Sequence, residues 1–178
     1  MNPWEGPALE AQYRYGDAYD PTGIIYEGLY SSSGLDVMQI LLSLHQRPNP
    51  QVEIGAVDMS CPIIICALDQ KDQPIIYASP SFLELTGYNM HEVLNRNCRF
   101  LQGPPREHVK PKSARKHVDE KTIKKMRKAV DRNQELQIKV TNFKKNGQKF
   151  TNYLTMIPIQ WKSHEFNLSI GLQCEYVE

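Results

Sequence analysis

The chain has 178 residues, 40% of them hydrophobic and 23% charged, with a formal net charge of +1. That composition excludes a disordered chain and suffices for one ordinary domain plus an extension, with a core that needs no staples. It contains no run long and apolar enough to span a bilayer. The opening MNPWEGPALE has neither a cationic start nor an apolar stretch, so no secretory signal is expected. The four cysteines, Cys61, Cys66, Cys98 and Cys174, lack the paired spacing of a zinc site. They read as thiols, and a cytoplasmic or nuclear protein is expected. The near-neutral total hides an asymmetry: residues 1–60 carry eight acids and two bases, and residues 103–132 carry eleven bases and four acids. Such blocks solvate two faces, bind a polyanion at the basic segment, or dock on one another.

Along the chain, the first thirty residues show no sustained period and read as irregular structure that gains order only by docking. SSSGLDVMQILLSLHQRPNP then predicts a helix over about 35–46. Ser33 is its cap, Leu35, Met38, Leu41, Leu42 and His45 fall at helical spacing, and Pro48 and Pro50 stop it. CPIIICAL and QPIIYAS are short β-rich runs around a DQKD turn, and SPSFLELTGY is a short helix closed by Gly87. NRNCRFLQ follows. A thiol, Cys98, between Asn97 and Arg99, with Gln102 four positions on, is poor core material, so this stretch solvates something polar or forms an exposed loop. Residues 119–132 predict a helix with Ile123, Met126 and Val130 on its buried side.

Three strands come last: ELQIKVTNFK, QKFTNYLTMIPIQW and EFNLSIGLQCEYV. Two strands, short helices, then three strands predict an α+β domain, an antiparallel sheet with helices on one face. Leu136, Ile138 and Val140 alternate onto one face of the first of these strands, and Phe150, Leu154 and Met156 onto one face of the next. In that phase Asn142 and Asn152 join the same apolar face. They lie opposite one another only across an odd loop, so a three-residue turn with a bulge is predicted around Asn146-Gly147. Two amides on a core face satisfy each other, bind a water, or hold a planar ligand. On the last strand Ser169, Gly171 and Gln173 share a face. If that face looks inward, the small residues leave room for a flat ring whose edge Gln173 can reach.

NRNCRFLQ, the two hairpin asparagines and GLQCE together resemble the LOV family, the flavin-binding, blue-light-sensing branch of PAS domains, over about residues 60–178. RPNPQVE, NCRFLQ and the KPKS loop are similar to the short fungal LOV proteins of the Vivid and Envoy type. The family motif usually starts with Gly where this chain has Asn95. The resemblance implies a PAS/LOV fold: a five-stranded antiparallel sheet with short helices over one face and an N-terminal cap helix. A cap and latch would span residues 1–52 and the photosensor domain residues 53–178. By resemblance Cys98 forms a reversible cysteinyl adduct with the photoexcited flavin. Asn97 and Gln102 meet the ribityl chain, Arg99 and Arg127 the phosphate, and Asn142 and Asn152 the pyrimidine edge. Gln173 sits beside nitrogen 5 and relays the signal.

The basic loop from Gly103 to Val118 would take the adenylate half of FAD, with Arg106, Lys110, Lys112, Arg115 and Lys116 toward the diphosphate; FMN is the alternative. The implied output is not enzymatic. It is rearrangement of the N-terminal cap, light-dependent homodimerisation and contact with a White Collar type LOV transcription factor, which tunes light-responsive transcription (photoadaptation). No metal, membrane or direct nucleic-acid binding is expected. Residence is expected in cytoplasm and nucleus, with KPKSARKH as a weak localisation patch. Two other classes compete: a thiol redox sensor acting through Cys61, Cys66 and Cys174, and a ligand-free PAS interaction module, which leaves Asn142, Asn152 and Gln173 unexplained.

Overall fold

The structure, a computed structural model, describes residues 34–178 apart from Met59, Ala114 and Glu178. Expectations for residues 1–33, the Ser33 cap among them, lie outside the described residues. The chain divides into two compact units, residues 1–46 and 47–178. Described residues of the first form helix α1, Val37–Gln46. Its cap is Asp36, whose carboxylate accepts from the Gln39 N–H at 3.0 Å. The buried stripe is Val37, Ile40, Leu41 and Leu44, whereas Met38, Leu42 and His45, expected on it, are exposed.

In the second unit five strands form one antiparallel sheet in the order β2-β1-β5-β4-β3: β1 Ile63–Ala67, β2 Ile75–Ala78, β3 Leu136–Phe143, β4 Lys149–Ile159 and β5 Leu168–Leu172. The β1–β2 turn uses positive φ at Asp72 and Gln73. The β3–β4 turn is the predicted odd one. Lys144 N–H donates to Gln148 O at 2.8 Å, leaving Lys145, Asn146 and Gly147 in the loop, with Gly147 at φ 86°. Because the left-handed glycine is the last loop residue, the turn centres on Asn146. Asn142 therefore faces Phe150 and Asn152 faces Val140. The two asparagines share a face as expected but are diagonal neighbours, not opposite. Pro158 is tolerated in β4 because it lies past the last β3 pair, Leu136 with Met156.

The helices of this unit cover one face. Helix α2, Pro80–Thr86, is capped by Ser79, has proline in its first turn and ends at left-handed Gly87. A single turn, α3, spans Met90–Val93. A 3₁₀ helix, η1, spans Cys98–Gln102, and α4 spans Glu120–Asp131 behind an Asp119 cap. On α4 the buried side is Met126 and Ala129; Val130, expected there, is half-buried. One apolar cluster joins Ile64, Cys66, Phe82, Val93, Phe100 and Leu101; a second joins Val118, Met126 and Val140, with Leu136, Ile138, Leu154 and Met156 against it.

Residues 47–52, expected with the N-terminal cap, belong to the second unit, and Glu135 is the reason. Its carboxylate takes the Arg47 guanidinium at 2.6 Å and the Gln51 and Val52 N–H groups at 2.9 and 2.8 Å. Both side chains of the ion pair are about nine-tenths buried, at 9% and 10% exposure. Burial alone would raise the Glu135 carboxyl; Arg47 and the two backbone donors outweigh it and hold the group below its usual 4.5. Its stabilising contribution is thus complete above the unfolded-state value and is lost as pH falls through the folded one. Glu135→Gln should cost roughly 3–5 kcal/mol at about pH 7, and the gap to the parent should narrow toward about pH 3. Urea unfolding at the two pH values checks both the size and the sign.

Candidate functional site

Cys98 opens η1, and the β1–β2 turn holds the residue on either side of it. Asn97 Nδ2 donates to the Asp72 carbonyl at 2.6 Å, and the Arg99 guanidinium pairs with the Asp72 carboxylate at 2.5 and 2.6 Å. Asn97 Oδ1 also accepts from the Arg99 N–H at 3.0 Å, capping η1. The chain reaches this point through Asn95 at φ 62°, and the Asn95 and Arg96 backbone groups pair with Ile75. Asparagine is the non-glycine residue that best tolerates a left-handed backbone, so the departure from Gly at this position keeps the turn.

Beneath η1 lies an open recess of about 450 Å³, counted out through its mouth into solvent. Its walls are Ile64, Cys66, Cys98, Leu101, Gln102, Val140, Asn142, Leu154, Met156, Ser169, Gly171 and Gln173. The Ser169–Gly171–Gln173 face therefore looks inward. A Cβ at Gly171 would stand 2.9 Å from Ile64 Cγ1 and 3.1 Å from Gln173 Nε2, so a side chain there would fill the cradle.

The buried amides form a chain. Asn152, fully buried, donates to Asn142 Oδ1 at 2.8 Å and to Gln173 Oε1, and accepts from the Cys174 N–H at 3.2 Å. Asn142 donates on to the Leu101 and Thr141 carbonyls at 3.3 and 2.9 Å. The amides thus satisfy one another, the plainer of the expected outcomes. They also link the recess wall to the C-terminal segment that continues β5 along β4, where the Tyr153 N–H donates to the Cys174 carbonyl and the Tyr176 N–H to the Thr151 carbonyl.

Two thiols line this recess. Cys98 packs against the cluster that holds Cys66. The neighbouring Cys66 thiol, opposed by burial and helped by Arg99, holds the Cys98 thiol below its usual value; the neighbouring Cys98 thiol and burial push Cys66 well up. At the mouth Arg115 donates to Gln102 Oε1 at 2.9 Å. Burial, then the charges of Arg99 and Arg127, press the Arg115 guanidinium down. Three guanidiniums in mutual electrostatic reach are relieved by an anion. Arg127 itself is exposed, and so are Arg106, Lys110, Lys112 and Lys116; none of these five lines the recess.

Of the expected site residues, then, Cys98, Gln102, Asn142 and Gln173 line the recess; Asn152 lies in the amide chain, Asn97 caps η1, Arg99 is part of it, Arg115 bonds Gln102 at its end, and Arg127 lies within electrostatic reach of Arg115. Sequence reasoning passed over Asp72, which has no local signal. It named Cys66 only as a candidate redox thiol, although its spacing from Ile64 aligns both with the inward face of β5. Among the described residues no group of three or more His, Cys, Asp or Glu could hold a metal. No helix among them is long and apolar enough to cross a membrane.

Comparison with known proteins agrees with this geometry. The PAS domain family matches residues 60–173. The light-state dimer of the fungal blue-light photoreceptor Vivid is 56% identical and superposes with a TM-score of 0.77, covering 84% of this chain and 100% of that one. The blue light receptor lreA of Aspergillus flavus is 45% identical over 86% of this chain, and the White collar 1 protein of Neurospora crassa 41% over 85%. The chain spans only 18% and 13% of the length of these two curated relatives. It belongs to the PAS domain family and, within it, to the Vivid-type LOV blue-light photoreceptors. These relatives favour light sensing over the thiol-sensor alternative.

Proposed function

We propose that this chain senses blue light through a flavin held in the recess under η1, and signals by rearranging its N-terminal segment and pairing with a second copy. The observation that carries the reading is the convergence, on one recess, of a thiol, a chain of amides and a glycine whose missing Cβ keeps the space open. A flavin held here would supply blue-light absorption and a ring carbon able to take the Cys98 sulfur reversibly, with the thiol proton passing to the ring. Asn142, Asn152 and Gln173 present donors and acceptors suited to the polar edge of a flat ring; Asn97 and Gln102 suit the sugar-alcohol chain. Arg99, Arg115 and Arg127 supply fixed positive charge for phosphate, with Lys112 at the loop's edge. FAD is favoured over FMN because the loop from Gly103 to Val118 adds length and charge beside these arginines.

Gln173 can turn its amide, exchanging donor for acceptor toward the recess. Such a turn breaks its bond with Asn152, whose carbonyl also holds the Cys174 N–H, so a change at the recess passes into the C-terminal segment. Output by homodimerisation draws on Met38 and Leu42, exposed at 40% and 53% and one turn apart on α1. A White Collar type partner follows from the likeness to such a protein, and with it a role in light-regulated transcription in cytoplasm and nucleus. The proposed plan has residues 1–52 as cap and latch, with 47–52 as its end anchored in the second unit, and 53–178 as photosensor.

Light scattering of the full chain in the dark and after blue light tests this output, with the mass of the released flavin deciding between FAD and FMN. Illumination should raise the mass toward a dimer. A chain beginning at residue 47, which keeps Arg47 on Glu135, should retain its photochemistry and stay monomeric. If the shortened chain dimerises like the parent, the N-terminal segment is not the output.

A further inference from the structure

We propose that Gly171 is a positioning residue for Gln173: its missing side chain is the seat over which the Gln173 amide lies, nitrogen over the glycine and oxygen toward Asn152. The geometry begins on β5. Gly171 faces Ile64 across the β1–β5 ladder and Met156 across the β4–β5 ladder, so it forms the floor between two recess walls. A Cβ there would lie 2.9 Å from Ile64 Cγ1 and 3.1 Å from Gln173 Nε2. Non-bonded carbon atoms settle about 3.5–4.0 Å apart, so the added carbon would crowd both. Ile64 is 3% exposed and packed in the cluster with Phe82 and Phe100, whereas the amide is the free end of a long side chain. The amide yields first.

Backbone groups decide which end of the amide takes that seat. The Cys174 N–H donates to Asn152 Oδ1 at 3.2 Å, so the Asn152 NH2 group turns the other way, to Asn142 Oδ1 at 2.8 Å and to Gln173 Oε1. Asn142 donates in turn to the Leu101 and Thr141 carbonyls. With its oxygen committed to Asn152, Gln173 has its NH2 group left for the place over Gly171. The Gln173 backbone N–H is tied to the Pro62 carbonyl at 2.9 Å, so the side chain is the part that turns. A half-turn about its last bond exchanges the two ends and sets the oxygen over the same glycine. Gly171 therefore accommodates either sense of the amide, and a methyl group there hinders both.

The consequence for light sensing, a hindered amide that passes less of a change at the recess to Asn152, rests on the function proposed above; the contact itself is tested without light. In nitrogen-15 spectra of the full chain kept dark, the Gln173 side-chain NH2 signals are the pair that Gln173→Ala removes. Gly171→Ala should move both, while Gly55→Ala, where an added Cβ meets nothing within 4 Å, should move neither. Exchange of the Cys174 N–H, which Asn152 holds, should quicken roughly three- to tenfold in Gly171→Ala, the effect of weakening one hydrogen bond. With Gln173→Ala already present the same exchange should quicken less than about twofold, because residues that act as one unit do not add. A glycine that only leaves space for a ring predicts equal acceleration with and without Gln173. Should Gly171→Ala fail to fold, the comparison is made on Ile64→Ala, which removes the wall atoms that the new methyl strikes. Unmoved Gln173 signals, or an exchange rate that Gly171→Ala alters equally or not at all in the two backgrounds, overturns the inference. Failure of the photoreceptor reading would appear separately, as absent bleaching with this dark coupling intact.

Discussion

Cys98→Ala is expected to keep its flavin and lose reversible bleaching of the blue absorption band completely. Two cysteines line the recess, so the assignment needs an argument. Cys66 lies on a central strand with its thiol pushed well up by the neighbouring Cys98 thiol and by burial, which leaves it the weaker nucleophile. Cys98 begins a 3₁₀ helix, is pinned on both sides to Asp72, and has its thiol lowered by Cys66 with help from Arg99. The two signs point the same way. Removing Cys98 takes away the bond-forming sulfur but none of the amides or arginines, so binding should survive. Absorption spectra of Cys98→Ala and Cys66→Ala before and after blue light separate the two thiols. Bleaching that persists in Cys98→Ala and vanishes in Cys66→Ala would reverse the assignment.

Asn152→Leu is expected to be the most destabilising single exchange in the sheet. Asn152 has no exposed surface, and leucine matches its size but offers no polar atom. The exchange removes the acceptor of the Cys174 N–H and the donor to both Asn142 and Gln173. Each buried group left without a partner costs about 1–3 kcal/mol, against about 0.5 kcal/mol for an ordinary surface change. Urea unfolding should show several kcal/mol lost, and hydrogen exchange at Cys174 and Tyr176 should accelerate because the C-terminal segment loses its hold on β4. A variant within about 0.5 kcal/mol of the parent would mean that the amide chain stores little free energy.

Local chemistry was legible in the sequence. Gly87 closes α2 as expected, and the odd β3–β4 turn follows from the phase of the apolar residues. Alternation also put Ser169, Gly171 and Gln173 on one face, which the structure turns toward the recess. What escaped depends on distance along the chain. Arg47 and Glu135 are 88 residues apart, and nothing near either announces the other. Asp72 serves Asn97 and Arg99 from a turn that reads only as a turn. The diagonal placing of Asn142 and Asn152 hinges on which loop residue takes the left-handed conformation, a choice that shifts the ladder without altering its faces. The slip between Ile65 and Cys66 in the β1–β2 ladder has no sequence signature at all.

One absorption spectrum of the purified full chain, taken in the dark, after blue light and again after a return to darkness, tests the central claim most directly. The account predicts a structured flavin band that bleaches on illumination and recovers in the dark. A protein that carries no flavin when folded in its presence, or whose bound flavin never bleaches, contradicts it.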